Sequence, residues 1–453
     1  MASSRKLRSA NLPDRVAAEI LPLLPAHSSI LIGLSGGVDS VVLLHLLHKL
    51  STRYSWQLSA LHVHHGISPN ADAWADFCAD LCARHHITLH VERVDIAPLL
   101  QHGIEAAARK LRHAAFAEQY CDFVALAHHA DDQAETLLLQ LLRGAGVRGA
   151  SAMPQFTGRT GSAIVIRPLL HISRDEILAY ATAHQLHWME DESNADDSYP
   201  RNFLRHRVLP LLAERFPAYR QTLARSAVHF AEASALLDEL AEQDGAGSIS
   251  DDTLSVDTLR ELSPARAKNL LRYFLHGLGM QMPQTVQLDG MLRQLCGARE
   301  DASVCVAYGE IEVRRYHGRV YALHALGGFE KSQMIAWQGE SSLGWPALNM
   351  QLDFRRVRGR GISLARLQLA PVTLRLRHGG EVLRVRPGTG GRTLKNLFQE
   401  NHVPPWHRDR FPLLYCGDEL VCVPGVAIAA DYAAIADDAG IQVELRAAPK
   451  GNS

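Results

Sequence analysis

The sequence predicts an α/β protein that opens with a doubly wound parallel sheet, continues through a mostly helical stretch and ends in a small α+β domain. Three observations lead there. Between residues 30 and 186, short apolar runs alternate with helical patterns, the arrangement that covers a parallel sheet on both faces. After Pro217 the alternation gives way to long helical periodicity. From about residue 335 it changes again, to short strands rich in arginine. At 453 residues the chain can form about three domains of roughly 150 each, and the expected divisions are 1–217, 218–330 and 335–453.

The first strand is the apolar run 30–34 (ILIGL), which ends in SGGVDS and leads into the helical pattern VVLLHLLHKL. Further strands are expected at 58–63, 87–94, 123–127 and 163–169, where β-branched and apolar residues cluster. Helices at 71–85, 103–120, 132–143 and 174–186 separate them, the last opened by Ser173 and Glu176 in capping-box spacing. A parallel sheet of this kind binds ligands at the carboxyl ends of its strands. The next segment is a long helix at about 218–243, followed by a hinge at Gly245, Gly247 and Ser248. Helices at 255–279 and 284–296 then precede a hairpin that turns at His317 and Gly318.

The composition, 47% hydrophobic and 21% charged, is that of an ordinary globular chain and not of a disordered or collagen-like one. With 47 basic and 48 acidic residues the net charge is -1, which excludes a uniformly basic nucleic-acid coat. The balance hides a local patch: residues 351–386 hold nine arginines against Asp353 and Glu381, a surplus of +7. No apolar run approaches the roughly 18 residues of a membrane span. Glu19 and Pro22 interrupt the opening segment before a signal peptide could form, so no membrane partner and a cytoplasmic location are expected. Seven cysteines without a Cys-x-x-Cys pair read as reduced thiols.

Ser35, Gly36, Gly37, Val38, Asp39 and Ser40 lie where a strand becomes a helix, so backbone N–H groups and the helix N-terminus can face an anion. The glycines allow close approach, both serines can donate hydrogen bonds, and Asp39 can hold Mg²⁺ against phosphates. No Gly-Lys-Ser/Thr follows, which disfavours Walker-type chemistry. In AHHADDQAET, Asp131, Asp132 and Glu135 share one face of a helix start, where they can serve a cation or simply cap the helix. His128 and His129, with His62, His64 and His65, suit a zinc site less well, because no HExxH or cysteine pattern accompanies them. Glu105, Arg109 and Arg112 are spaced for a surface salt bridge, and Arg201 and Arg205 suit phosphate because the guanidinium fork binds two oxygens at once. Trp406, beside Pro404 and Pro405, reads as a core residue before it reads as a base-stacking platform.

SGGVDS resembles the PP-loop of the ATP-pyrophosphatase superfamily. In order, HVHHG (62–66), EAAARKLRHAAF (105–116), AHHADDQAET (127–136), RPLL (167–170), EDESN (190–194) and RNFLRHRVLP (201–210) are similar to the tRNA(Ile)-lysidine synthetase family. The likeness resumes with RTLKNLFQE (392–400) and VPPWHRDRFPLLY (403–415). This resemblance implies a PP-loop nucleotide-binding domain and a ligase that uses ATP, Mg²⁺ and L-lysine. Its substrate would be the anticodon-first cytidine of a CAU-anticodon tRNA(Ile), converted to lysidine through an adenylated intermediate. The loop residues 35–40 and His62 would then bind the nucleotide, with Asp39 and Asp131 on the metal. Asp132, Glu135, His129, Arg109, Arg205 and Asp39 are the catalytic candidates, while Arg201, Arg384, Arg386, Arg392 and Lys395 would bind tRNA. A homodimer is compatible with this reading.

Other functions fit less well. A tRNA thiolase needs sulfur-carrying cysteines that the chain does not pair. An amidotransferase would place a catalytic cysteine after Met1 or within a fused domain, whereas Ala2 and Ser3 stand after Met1 here. A metallohydrolase predicts bound zinc and activity without ATP, and a pure RNA-binding protein predicts no nucleotide turnover.

Overall fold

The computed structural model describes residues 12–98, 103–158, 163–250, 252–299, 302–325 and 327–447. It divides into two units, residues 1–238 and 239–453. In the first, Leu12–Ile20 (α1) precedes the strand Ser29–Gly33 (β1), and the chain then alternates through Val38–Tyr54 (α2), Gln57–His64 (β2), Ala71–Arg84 (α3), Thr88–Arg93 (β3), Ile104–Ala117 (α4), Phe123–Ala125 (β4) and Ala130–Leu142 (α5). A one-turn helix at Val147–Ala150 (α6), strands Phe156–Thr157 (β5) and Ile164–Ile166 (β6), and Arg174–Ala183 (α7) follow. Helices at Pro200–Phe203 (α8) and Leu209–Arg215 (α9) flank a π-helical turn at Leu204–Val208, and Tyr219–Gly245 (α10) comes after them.

The strands form one sheet in the order β3-β2-β1-β4-β6-β5. All neighbours are parallel except the edge pair β5–β6. The antiparallel edge strand is not foreseen by the sequence, because two residues are too few to carry a periodic signal. The alternate side chains Ile30, Ile32, Ala60, Ala125 and Ile166 face the core shared with α1, α2, α3 and α7. Leu31, Leu61 and Val124 face the other way, against Ala115 and Phe116 of α4. Strand order reverses between β1 and β4, so a crevice opens at their carboxyl ends, where such sheets bind ligands.

The sequence pattern ends the first domain at Pro217, whereas the first unit runs to Asp238 within α10. The reason is packing: Tyr219 sits with Ala134 and Leu209, and Ala227 with Leu137 and Ala150. In the second unit the expected helix 255–279 is two helices, Val256–Glu261 and Pro264–Gly277, because Pro264 starts a new helix after Ser263. The expected hairpin is a three-stranded meander, Val304–Tyr308, Ile311–Tyr316 and Arg319–His324, with an extra turn made at Gly309 (φ 54°). Beyond it lie an antiparallel five-stranded sheet that includes Val372–Arg375 and Leu413–Cys416, a four-stranded sheet that includes Met350–Arg358 and Ala439–Ala447, and the helix Leu394–Glu400. Trp406 is half-buried, edge-on to Tyr321 at 5.2 Å, with the Arg314 guanidinium 5.2 Å from its ring centroid. Among the described residues no helix is long and apolar enough to cross a membrane.

The leucine-rich α2 is the helix that the sheet leans on, with nine buried residues and Leu44 fully enclosed. Leu44→Ala should cost about 2–5 kcal/mol, from lost transfer energy and the cavity left behind. A lower urea midpoint with an unchanged slope is the expected measurement.

Candidate active site

The crevice is built first by the loop that joins β1 to α2. Leu34 N–H continues the ladder to the Leu61 carbonyl at 3.0 Å, and the chain then turns through Gly36 at φ 87°. A side chain at Gly36 would be strained and would press on Cys78 Sγ at 3.4 Å. The Gly36 carbonyl accepts from Met189 N–H at 2.9 Å. Ser35 Oγ and Ser40 Oγ lie 3.2 Å apart, and Ser40 Oγ donates to the Gly37 carbonyl at 2.9 Å, so the serines close the loop on itself. Gly37 occupies the N-cap of α2 without a capping side chain, which leaves the first N–H groups of a 17-residue helix available to an anion. His62, expected to bind the nucleotide, stands behind this loop. It is 4% exposed, and its Nδ1 lies 2.9 Å from the Leu34 carbonyl. Burial lowers its pKa.

Across the crevice, α5 begins directly after β4. His129 is in extended conformation (φ -130°, ψ -179°), and its N–H donates to Asp132 Oδ2 at 3.0 Å. Asp132 thus satisfies the helix start from its third position, and Glu135 takes no part in capping. The His129 ring is buried among three carboxylates: Nε2 lies 3.7 Å from Asp39 Oδ2 and 3.5 Å from Asp132 Oδ2, and Nδ1 lies 3.9 Å from Asp131 Oδ2. Burial opposes its charged form, but Asp39, Asp132 and Asp131 together outweigh burial and hold the pKa above the ordinary value. Asp132 goes the other way: despite burial, His129 and Arg201 keep its carboxyl below the usual range.

Glu135, 1% exposed, binds two guanidiniums. Arg201 Nε donates to Oε2 at 2.7 Å; Arg205 donates through Nε to Oε1 at 2.7 Å and through Nη2 to Oε2 at 2.9 Å. Arg201 also reaches Asp132 Oδ1 at 2.9 Å. Arg201, expected on tRNA, pairs here with the carboxylates of Glu135 and Asp132, and both oxygens of Glu135 accept guanidinium N–H groups. Asp131, expected on the metal, is likewise committed: Oδ2 accepts from Arg174 N–H at 2.9 Å, at the start of α7, and Oδ1 is paired with Arg220 of α10. Arg220 is not singled out by the sequence, since no local motif marks a partner 89 residues away.

Asp39 remains the candidate metal ligand. Its Oδ1 is buried with no hydrogen-bond partner among the described residues, beside the open helix N-terminus. One carboxylate plus substrate phosphates is the usual protein share of a Mg²⁺ site. Arg109 is exposed on α4, and the Glu105 side chain lies outside the described residues. In the second unit Arg386 and Lys395 are exposed, Arg384 lies 3.7 Å from Asp431, and Arg392 pairs with Glu400 at 2.5 Å.

The two adjacent histidines should titrate in opposite directions. Burial pulls His128 down to about 4, whereas His129 is raised above the ordinary 6.5. Protonation of His129 therefore stabilises the fold below about pH 6.5, and that contribution is lost as pH rises through its folded pKa. NMR titration of the ring signals should place the His129 midpoint above 6.5, and Asp39→Asn should lower it.

Three family descriptions match the chain: the PP-loop domain over residues 11–212, the TilS substrate binding domain over 254–321 and the TilS substrate C-terminal domain over 372–445. The tRNA(Ile)-lysidine synthase of Nitrosomonas europaea is 43% identical over 436 residues, 95% of each chain. That of Coxiella burnetii is 40% identical over 94% of this chain and 95% of its own. That of Escherichia coli O157:H7 is 40% identical over 87% and 91%. With a loop shaped for phosphates at the strand edge and such identity along nearly the whole of both chains, the chain belongs to the tRNA(Ile)-lysidine synthase family.

Proposed function

We propose that this chain ligates L-lysine to C2 of the anticodon-first cytidine of a CAU-anticodon tRNA(Ile), using ATP. The observation that carries this reading is the uncapped N-terminus of α2 with the unpartnered Asp39 Oδ1, set against the His129 cluster across one crevice. In the first half-reaction the cytidine O2 attacks the α-phosphorus, a P–O bond forms, and the bond to pyrophosphate breaks. In the second, the lysine ε-amine attacks C2 of the adenylated cytidine and AMP leaves with the O2 oxygen.

The loop 35–40 binds the β and γ phosphates through backbone N–H groups and the helix N-terminus. Asp39 with phosphate oxygens would hold Mg²⁺, which when bound supplies charge neutralisation for the departing pyrophosphate. Arg205, oriented by Glu135, presents its guanidinium to phosphate oxygens. The lysine ammonium, with a solution pKa of about 10.4, costs roughly 4–5 kcal/mol to deprotonate at neutral pH. The carboxylates of Asp132 and Glu135 are the candidates to dock it and take its proton, with His129 beside them. Arg384, Arg386, Arg392 and Lys395 grip tRNA phosphates, which supply affinity without reading bases.

The decisive assay incubates the protein with ATP, labelled lysine and tRNA and digests the product to nucleosides; a lysine-bearing cytidine is the expected result, and its absence would refute the reading. Asp39→Asn should abolish pyrophosphate release while leaving tRNA binding intact. The Arg392→Ala, Lys395→Ala double variant should raise the KM for tRNA and flatten its salt dependence by about one unit of slope for each phosphate left without its cation, with the KM for ATP unchanged.

A further inference from the structure

Three side chains prolong the rows of the sheet that face α4. Val63 of β2, Leu126 after β4 and Val165 of β6 pack in the layer with Ala115 and Phe116. Two residues beyond each, past the strand ends, stand His65, His128 and Arg167. Leu126 N–H bonds to the Ile166 carbonyl at 2.9 Å, so His128 and Arg167 follow directly adjacent backbones.

Arg167 is 8% exposed. Its Nη1 donates to the Pro154 carbonyl at 2.7 Å and to Thr157 Oγ1 at 3.2 Å, while its buried Nε has no hydrogen-bond partner. Among the described residues no carboxylate pairs with it. Burial first, and the Arg109 charge second, pull its pKa down to about 10, so it remains a cation at neutral pH. A buried cation that has no counter-ion among the described residues is costly unless an anion completes the site. The buried Nδ1 of His128 is also without a partner. Arg109, exposed on α4, is close enough that its charge acts on both His128 and Arg167. Because the backbone at His129 is extended, His128 and His129 point to opposite sides of β4.

We propose that Arg167, with Arg109 and His128, forms a subsite for one phosphate group, on the opposite side of β4 from Asp39 and His129. It rests on the proposed reaction, which brings two such groups to this strand edge: the α-phosphoryl that passes from ATP to the cytidine, and the tRNA backbone phosphate beside that cytidine. Two N–H donors of a guanidinium that no carboxylate of the described residues claims suit either one.

Arg167→Gln and Arg109→Gln should be compared with the unaltered chain for binding of AMP, pyrophosphate and, over a salt series, tRNA. If the group is the α-phosphoryl, each variant weakens AMP about tenfold or more, as expected for a lost charged hydrogen bond, and leaves pyrophosphate affinity unchanged. If it is a tRNA phosphate, AMP binding holds and the tRNA salt slope becomes shallower by about one. Folded variants that bind AMP and tRNA like the unaltered chain would overturn the proposal and leave Arg167 as a staple for β5. Arg109→Gln changes an exposed side chain, so the test stands even if Arg167→Gln fails to fold. Lysidine formation by the unaltered chain is assayed in parallel: its absence refutes the reaction, while AMP affinity still decides the subsite.

Discussion

The carboxylate of Glu135, enclosed and gripped by Arg201 and Arg205, is the interaction on which the arrangement of the crevice depends. It fastens α5, which carries His129 and Asp132, to the helical segment that follows Pro200. Ion pairs in a poorly solvated place stabilise only when geometry and hydrogen bonding are good, and removing one partner from such a cluster costs about 3–5 kcal/mol. Four carboxylates, those of Asp39, Asp131, Asp132 and Glu135, meet three arginines and a histidine whose pKa is raised toward the charged form. The charges nearly balance. A triphosphate entering this crevice adds negative charge that the balance does not cover, so the arginines must be shared between Glu135 and the newcomer, or a cation must arrive with it.

His128 and His129 show how one strand end can serve two environments. Extended backbone sends neighbouring side chains in opposite directions: three carboxylates surround His129, whereas burial and the guanidiniums of Arg167, Arg201 and Arg109 outweigh Asp132 at His128. The same residue type is thus held neutral on one side of β4 and favoured as a cation on the other. The strand-order reversal beside β1 is what brings the phosphate loop to one flank of this arrangement.

Much of the first unit is legible in the sequence because its signals are local. The apolar runs, Ser173 with Glu176, and SGGVDS each state their structure within a few residues, and the sheet, the cap and the loop form where those patterns lie. Roles that depend on distant partners are not legible. Asp131 and Glu135 read as free ligands because Arg220, Arg201 and Arg205 lie 66 to 89 residues away along the chain. Arg167 opens the RPLL motif without a role of its own, since its buried, unpartnered Nε is a property of the packed structure. The meander at 304–324 and the break at Pro264 escape the sequence pattern for a simpler reason, that a lone Gly or Pro within a periodic run is outvoted by its neighbours.

The π-helical turn at Leu204–Val208 has a consequence for how this segment can vary in length. A π turn holds one residue more than an α turn, and Arg205 lies within it while Arg201 lies just before. Deleting a single residue from this turn would let the backbone relax to a regular α-helix, yet it would rotate everything downstream by about 100°. Insertions and deletions here are therefore constrained by side-chain phase and not by backbone comfort. Arg201 and Arg205, four residues apart, would share a face on a regular α-helix as well, so the extra residue of the π turn bears on the elements that follow the pair more than on the pair itself.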